Sequence, residues 1–269
     1  MIRSICKNWP TSSQISSRFL RVWQRNFSVY RRTWAISFLP PLLEPVLYIL
    51  AFGLGLGQLV GALEISGRQV SYTAFIAPAL VAVAIMYNAF FETSYNSFVR
   101  MYYQKTYDAL LATPLNLYEV ILGDIVWAAT KAVIAAALMG AVLTLFGLLV
   151  LPWAALLLPL ALLGGLFFAA LGMVCTGLVP GIETFNVPIF LLITPMFLFS
   201  GTFFPLQQLP EWAQQVALAL PLTHLVNLAR AAALGDFTVA SGWSIGYLLV
   251  GSLLLVPLAL ALMQRRIID

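Results

Sequence analysis

Two ionisable side chains lie deep inside apolar stretches and are the first places to look for chemistry. Glu44 sits between Pro41 and Pro45, and Lys131 lies in the run GDIVWAATKAVIAAAL. A charge in hydrocarbon is costly unless it is paired or hydrated. With a helical rise of about 1.5 Å per residue, both positions reach similar depths if their helices start from the same side. Glu44 and Lys131 are therefore expected to face protein, or each other, rather than lipid. Glu92 and Asp124 lie nearer the ends of their apolar runs, within reach of water, and read as interfacial anchors at least as well as transport groups.

Other chemistries find no residues to carry them. The chain has no G-x-x-x-x-G-K-[ST] phosphate loop and no G-x-S-x-G elbow. Its single histidine, His224, cannot form an H-E-x-x-H site and reads as a polar residue at a membrane interface. Gly53, Gly55, Gly57, Gly164 and Gly165 lie within apolar runs, where they suit close helix packing better than nucleotide binding. Cys6 belongs to a polar segment and Cys175 to an apolar one, so they are expected to be unpaired thiols. The first sixteen residues lack the apolar run of a signal peptide.

The elements that must position these residues follow from composition. Hydrophobic residues make up 61% of the chain and charged residues 9%, too few polar groups to cover a water-soluble surface of 269 residues. The missing polar surface implies lipid contact, and the spanning structures are helices because their backbone bonds are satisfied internally. Six stretches are long and apolar enough: 34–60, 73–98, 119–149, 154–179, 184–204 and 243–263. The fold expected is all-α and integral to the membrane, a single transmembrane domain over 1–269.

Basic residues orient it. Arg3, Lys7, Arg18, Arg21, Arg25, Arg31 and Arg32 precede the first span, Arg100 and Lys105 separate spans two and three, and Arg265 and Arg266 follow span six. These are eleven of the fourteen basic residues, and an even number of spans puts them all on one side. By the positive-inside rule both termini are cytoplasmic.

Three segments are not simple spans. Residues 15–33 place Ile15, Phe19, Val22, Trp23, Phe27 and Tyr30 at three- and four-residue spacing with arginines opposite, the pattern of an interfacial helix. The 100–124 connection predicts a short helix ending near Thr113-Pro114 and a restart around Leu117. Its aromatic and acidic side chains suit either docking to a soluble partner or a plain surface connector. Ser200, Gly201, Pro205 and Pro210 break span five near its outer end, and two amphipathic pieces, Glu211 to Leu220 and Thr223 to Leu234, follow as re-entrant or interfacial helices.

This order of elements resembles the type 2 permeases of ATP-binding-cassette exporters. The resemblance is carried by Arg100-Met101, Thr106 to Pro114, GDIVWAATKA at Gly123 to Ala132, TPMFLFSGTFFPLQQLP at Thr194 to Pro210 and PLTH at Pro221 to His224. It implies that residues 103–118 are a coupling helix docking into a separate ATPase through Tyr107, Asp108 and Leu111, with Tyr103, Lys105, Thr113 and Pro114 in the same segment. Residues 15–33 would be the connecting helix, and 205–234 the outer re-entrant helices, with Ser200, Gly201, Phe204, Pro205 and His224 at the gate. The family pairs two permeases with two ATPases, so a homodimer is implied, with spans one, two and five at the interface. The resemblance further implies a bacterial inner membrane and surrounding membrane lipid, with no nucleic acid partner. No cofactor belongs to this chain; ATP and Mg²⁺ would be held by the partner.

An amphipathic cargo needs a polar or aromatic path. Tyr48, Tyr87, Phe90, Phe91 and Phe199, with Glu44 and Lys131, are its candidate liners, and each aromatic also reads as lipid-facing or packing. Lipo-oligosaccharide, a polysaccharide or glycolipid, and a hydrophobic drug all remain open. A secondary transporter or channel would need inverted repeats or several intramembrane charges. A membrane-embedded enzyme would need a polar constellation at depth, where only Glu44 and Lys131 qualify.

Overall fold

The computed structural model describes residues 16–34, 39, 43–44, 46–56, 61–65, 68–149 and 153–268. Much of the first predicted span, 34–60, falls outside the described residues, as does Cys6. Within that span Ile49–Leu56 form a π-helix. Among the described residues the strands form one hairpin, in which β1 (Ala62–Ile65) pairs antiparallel with β2 (Arg68–Ser71), Ala62 opposite Ser71, and the other regular elements are helices.

Among the described residues, five helices are long and apolar enough to cross a membrane: α2 (Tyr72–Tyr103), α4 (Leu117–Leu145), α5 (Leu157–Leu178), α6 (Ile182–Phe199) and α9 (Val239–Ile268). They overlie predicted spans two to six. Four shorter helices complete the set: α1 (Phe19–Arg32), α3 (Thr106–Leu111), α7 (Glu211–Ala219) and α8 (Pro221–Leu234). α7 and α8 meet at 87°, as the amphipathic pieces after the span-five break require. α6 ends at Phe199, Gly201 has a φ of +71°, and Ser200 is fully buried.

The short helix before Thr113-Pro114 and the restart at Leu117 are present as expected, but only six residues of the 103–118 segment that the resemblance made a coupling helix form α3. α3 has six residues, a turn follows, and α4 restarts at Leu117. Its start is set by a capping box: the Asn116 side chain accepts from the Glu119 backbone N–H at 2.9 Å, and the Glu119 carboxylate accepts from the Asn116 N–H at 2.9 Å. Ser71 caps α2 more simply, its hydroxyl accepting from the Ala74 N–H at 3.3 Å.

α5 is the centre of the bundle and packs on α2, α4 and α9. In lipid, helices gain little from hiding apolar surface from one another, so close backbone approach and interhelical hydrogen bonds hold them together. Both are present. A Cβ on Gly165 would lie 3.0 Å from the Ala129 Cα, so any larger side chain would press α5 away from the α4 backbone. Thr93 on α2 donates to the Ala169 carbonyl at 2.8 Å, and Thr176 on α5 donates back to the Thr93 carbonyl at 2.8 Å. Cys175 is a buried free thiol, as expected.

The Gly165 contact is testable. Gly165→Leu forces α5 away from the α4 backbone and should cost about 1–3 kcal/mol, read as a lowered melting temperature of the detergent-purified protein. Gly246→Leu, at an α9 position where a Cβ meets nothing within 4 Å, should leave it within experimental error.

Candidate functional site

One end of the bundle gathers α1, α3, the close of α2, the start of α4 and the close of α9. It carries most of the described basic residues and is called here the basic end.

α1 lies on α4 there, with Val22 and Asn26 buried, Arg21, Arg31 and Arg32 exposed, and Arg25 half-buried and donating to the Asn26 side chain at 2.9 Å. The approach is close because residue 123 is glycine: a Cβ there would stand 2.5 Å from the Val22 Cβ and 2.9 Å from the Phe19 carbonyl. The Trp23 indole donates to the Thr130 hydroxyl at 3.0 Å, Arg18 donates to the Pro114 carbonyl at 2.8 Å, and Phe27 and Tyr30 meet the Trp127 ring edge-on.

Behind this contact is a buried charge network. α2 leaves α-helical geometry in two π-helical turns, Glu92–Asn96 and Val99–Tyr103, which present Glu92, Asn96 and Arg100 along one side. Glu92 is 4% exposed and accepts four bonds: from Arg100 at 2.6 Å and the Trp127 indole at 3.1 Å on Oε1, and from Lys131 and Asn96, each at 2.9 Å, on Oε2. Asp124, 2% exposed, accepts from Asn26 at 2.7 Å on Oδ1, and on Oδ2 from Ser97 at 3.0 Å, Tyr107 at 2.8 Å and Arg100 at 3.2 Å. Two carboxylates are thus met by two cations. That balance lets charges persist here, because an unpaired buried ion costs several kcal/mol.

These partners revise the sequence reading at four points. Lys131 faces protein as expected, but its partner is Glu92, while Glu44 takes a 3.2 Å hydrogen bond from the Tyr48 hydroxyl four residues on. Glu92 and Asp124 are not watered interfacial anchors; they are the most enclosed charges of the network. Tyr107 is 1% exposed and turned inwards to Asp124, so its side chain is not on a docking surface. Burial and the Asp124 carboxylate push its hydroxyl well above the ordinary tyrosine pKa, which keeps it a hydrogen-bond donor. Phe90 is fully buried in the helix core and lines no path.

The rest of the α3 segment does face outward. Tyr103, Lys105 and Asp108 are about two-thirds exposed, with Lys105 and Asp108 3.8 Å apart, and Thr113 and Pro114 are exposed too. Lys105 adopts a left-handed φ of +53° at the N-cap of α3. Leu111 is half-buried. A cleft of about 250 Å³ opens between Arg21 of α1 and Leu110, Thr113, Pro114 and Leu115.

Away from the basic end, three of the expected aromatic liners do come together. Tyr48 packs on Phe52, Phe52 on Phe203, Phe203 on Phe197, Phe197 on Tyr87 and Tyr87 on Phe91, a continuous half-buried column. Phe199 is exposed apart from it. At the far end, Phe204 and Pro205 are half-buried. His224 is buried, hydrogen-bonded to Ser244 at 3.1 Å and to the Leu218 carbonyl at 3.0 Å, and stacked on Tyr247.

Sequence reasoning missed Asn26, Ser97 and Trp127 as network members. A signal was present: Glu92, Asn96 and Arg100 recur every four residues, and Asp124, Trp127 and Lys131 at three- and four-residue spacing, each a polar face on an otherwise apolar helix.

The network predicts a non-additive response. Glu92→Gln leaves Arg100 and Lys131 facing a neutral amide and should destabilise by about 3–5 kcal/mol. Glu92→Gln combined with Lys131→Met should recover part of that loss, and a double-mutant cycle by thermal unfolding measures the coupling.

Comparison with known proteins agrees with this architecture. Residues 17–234 match the family model described as ABC-2 type transporter. The chain is 40% identical over 255 residues to Nodulation protein J of Rhizobium leguminosarum bv. trifolii, covering 94% of this chain and 95% of that protein. It is 38% identical over 251 residues to Nodulation protein J of Rhizobium meliloti (strain 1021), covering 93% and 94%. It is 26% identical over 255 residues to the inner membrane transport permease YadH of Escherichia coli (strain K12), covering 91% and 93%. With its helical bundle, its broken span and relatives matched over nearly their whole length, the chain belongs to the ABC-2 type transporter family as a membrane permease subunit.

Proposed function

We propose that this permease forms the translocation path of an ATP-driven exporter, with ATP and Mg²⁺ bound by a separate ATPase, and moves an amphipathic lipo-oligosaccharide-type molecule outward. The observation that carries the reading is the construction of α3. Its outer face offers Tyr103, Lys105 and Asp108 to solvent, while Tyr107 on its inner face is bonded to Asp124. A partner seated on the outer face therefore pulls on the buried network, and through it on α2 and α4. The cleft beside Arg21 would receive a side chain of the same partner.

In this reading the basic end is cytoplasmic, the protein lies in a bacterial inner membrane, and six spans result once 34–60 is counted. α1 lies in the interface. α7 and α8 form the outer re-entrant pair, closing the exit together with Ser200 and Gly201. Two copies pair with two ATPases, and the column from Tyr48 to Phe91 faces the path between copies, where aromatic rings and the Glu44 carboxyl suit an amphiphile. Lipo-oligosaccharide is favoured by the relatives named Nodulation protein J, which are similar along nearly the whole chain.

Co-purification with the candidate ATPase in detergent, followed by its hydrolysis rate, tests this. Asp108→Arg reverses a charge on the exposed face and should abolish association or reduce permease-stimulated hydrolysis about tenfold. Tyr107→Phe should keep association yet weaken the stimulation, because the partner's surface is intact and the link to Asp124 is lost. A permease that never associates with an ATPase, even intact, refutes the exporter reading in favour of a secondary transporter.

A further inference from the structure

At the far end of the bundle, Arg230 of α8 is a half-buried cation without a counter-ion: no carboxylate among the described residues pairs with it. Instead its Nε donates to the Phe75 carbonyl at 3.2 Å, and its Nη2 to the carbonyls of Gly201 at 2.6 Å and Thr202 at 3.3 Å, with the guanidinium 3.7 Å over the Phe75 ring. Gly201 and Thr202 follow the end of α6, where a broken helix leaves carbonyls unsatisfied. Arg230 thus fastens the re-entrant pair to the break. Its Nη1 makes no hydrogen bond among the described residues, and the side chain lines a cavity of about 650 Å³.

The remaining polar lining decides what that cavity suits. Gln207, Gln214, Asn227, Asp236 and Ser241 join Arg230 around it. Three amides both donate and accept, the carboxylate only accepts, and the guanidinium only donates. An anion would use the donors but be repelled by Asp236. An acyl chain would leave the Gln207 and Asn227 amides and the Asp236 carboxylate without partners, whereas Gln214 and Ser241 already bond to the Leu209 carbonyl and the Thr238 N–H. Hydroxyl groups, each donor and acceptor at once, match the whole set, and the volume lies within the usual range of about 300–1,000 Å³ for ligand sites.

A second cavity adjoins it. Thr238 and Ser241 line the polar cavity, while Val239 and Gly242, interleaved with them at the start of α9, line an apolar groove of about 910 Å³ running along Gly246, Val250 and Leu254. A polar compartment and an apolar one thus share one short segment, the arrangement an amphiphile with a sugar head and a hydrocarbon tail requires.

We propose that the Arg230 cavity is an outer-face binding site for the saccharide portion of the exported amphiphile, a site that rests on the exporter reading above. Arg230 then both senses the sugar and holds the α6 break, so occupancy is felt at the exit gate.

The test uses the permease–ATPase complex in nanodiscs and saturation-transfer difference NMR. The probes are neutral tetrasaccharides of glucose, mannose and N-acetylglucosamine, with inorganic phosphate as a separate ligand. Arg230→Gln removes three structural bonds and is a poor first variant. Asn227→Leu and Asp236→Leu alter exposed side chains that make no hydrogen bond or ion pair among the described residues, and keep the test clean if Arg230→Gln misfolds. At least one tetrasaccharide should bind the wild type, and each of these variants should weaken it about tenfold, with ATP hydrolysis retained. Absence of saccharide signal from a complex that still couples hydrolysis overturns the site and leaves the exporter reading intact. Saccharide binding indifferent to both variants, or phosphate binding without saccharide binding, overturns it as well.

Discussion

A carboxylate removed from water must recover its lost hydration from the protein, and Glu92 does so at a depth where few donors exist. Two cations, an indole N–H and an amide N–H converge on its two oxygens. The donors come from α2 itself and from α4, so those two helices cannot rotate or slide without uncovering charge. Asp124 repeats the arrangement with donors from α1, α2 and α3. Arg100 bonds both carboxylates and makes the two centres one network. The basic end is fixed by these contacts, since apolar packing alone offers little preference for one rotation over another in lipid.

The network also explains why α1 lies where it does. An amphipathic helix at a membrane surface is held mainly by its apolar face and by headgroups, which set depth but leave position along the surface free. Asn26 reaching Asp124, Trp23 reaching Thr130 and the Val22–Gly123 contact remove that freedom. The connecting element and the α3 segment therefore meet the same carboxylate from different directions. Any displacement of one is transmitted to the other through a single side chain.

Much of this was legible in the sequence. Apolar length placed α2, α4, α5, α6 and α9, the arginine-backed periodicity placed α1, and Pro114 marked the stop between α3 and α4. The bend between α7 and α8 followed from pieces too short to cross. Pairing was harder to read. Depth along a helix follows from counting residues, and on that count Glu44 and Lys131 were matched; azimuth does not, and it is Glu92, where α2 enters its first π-helical turn, that faces Lys131. Tyr107 was read as exposed because a short polar segment is usually a surface one. Its burial depends on Asp124, a long-range partner that local pattern cannot supply. The β1–β2 hairpin was missed because four-residue strands carry too little alternation to stand out.

The brevity of α3 makes the network's polarity consequential. A helix of six residues is far below the length at which isolated helices persist in water, so α3 owes its shape to what it touches. An apolar anchor in place of Tyr107 would bury comparable area, yet it would tolerate rotation and small slides. A hydroxyl held at 2.8 Å to a carboxylate that is itself held by Arg100, Ser97 and Asn26 tolerates neither. The outward face bearing Lys105 and Asp108 consequently has a fixed orientation relative to α2 and α4. A lever must be stiff where it meets its load, and here directional bonds to buried charge make a six-residue helix stiff.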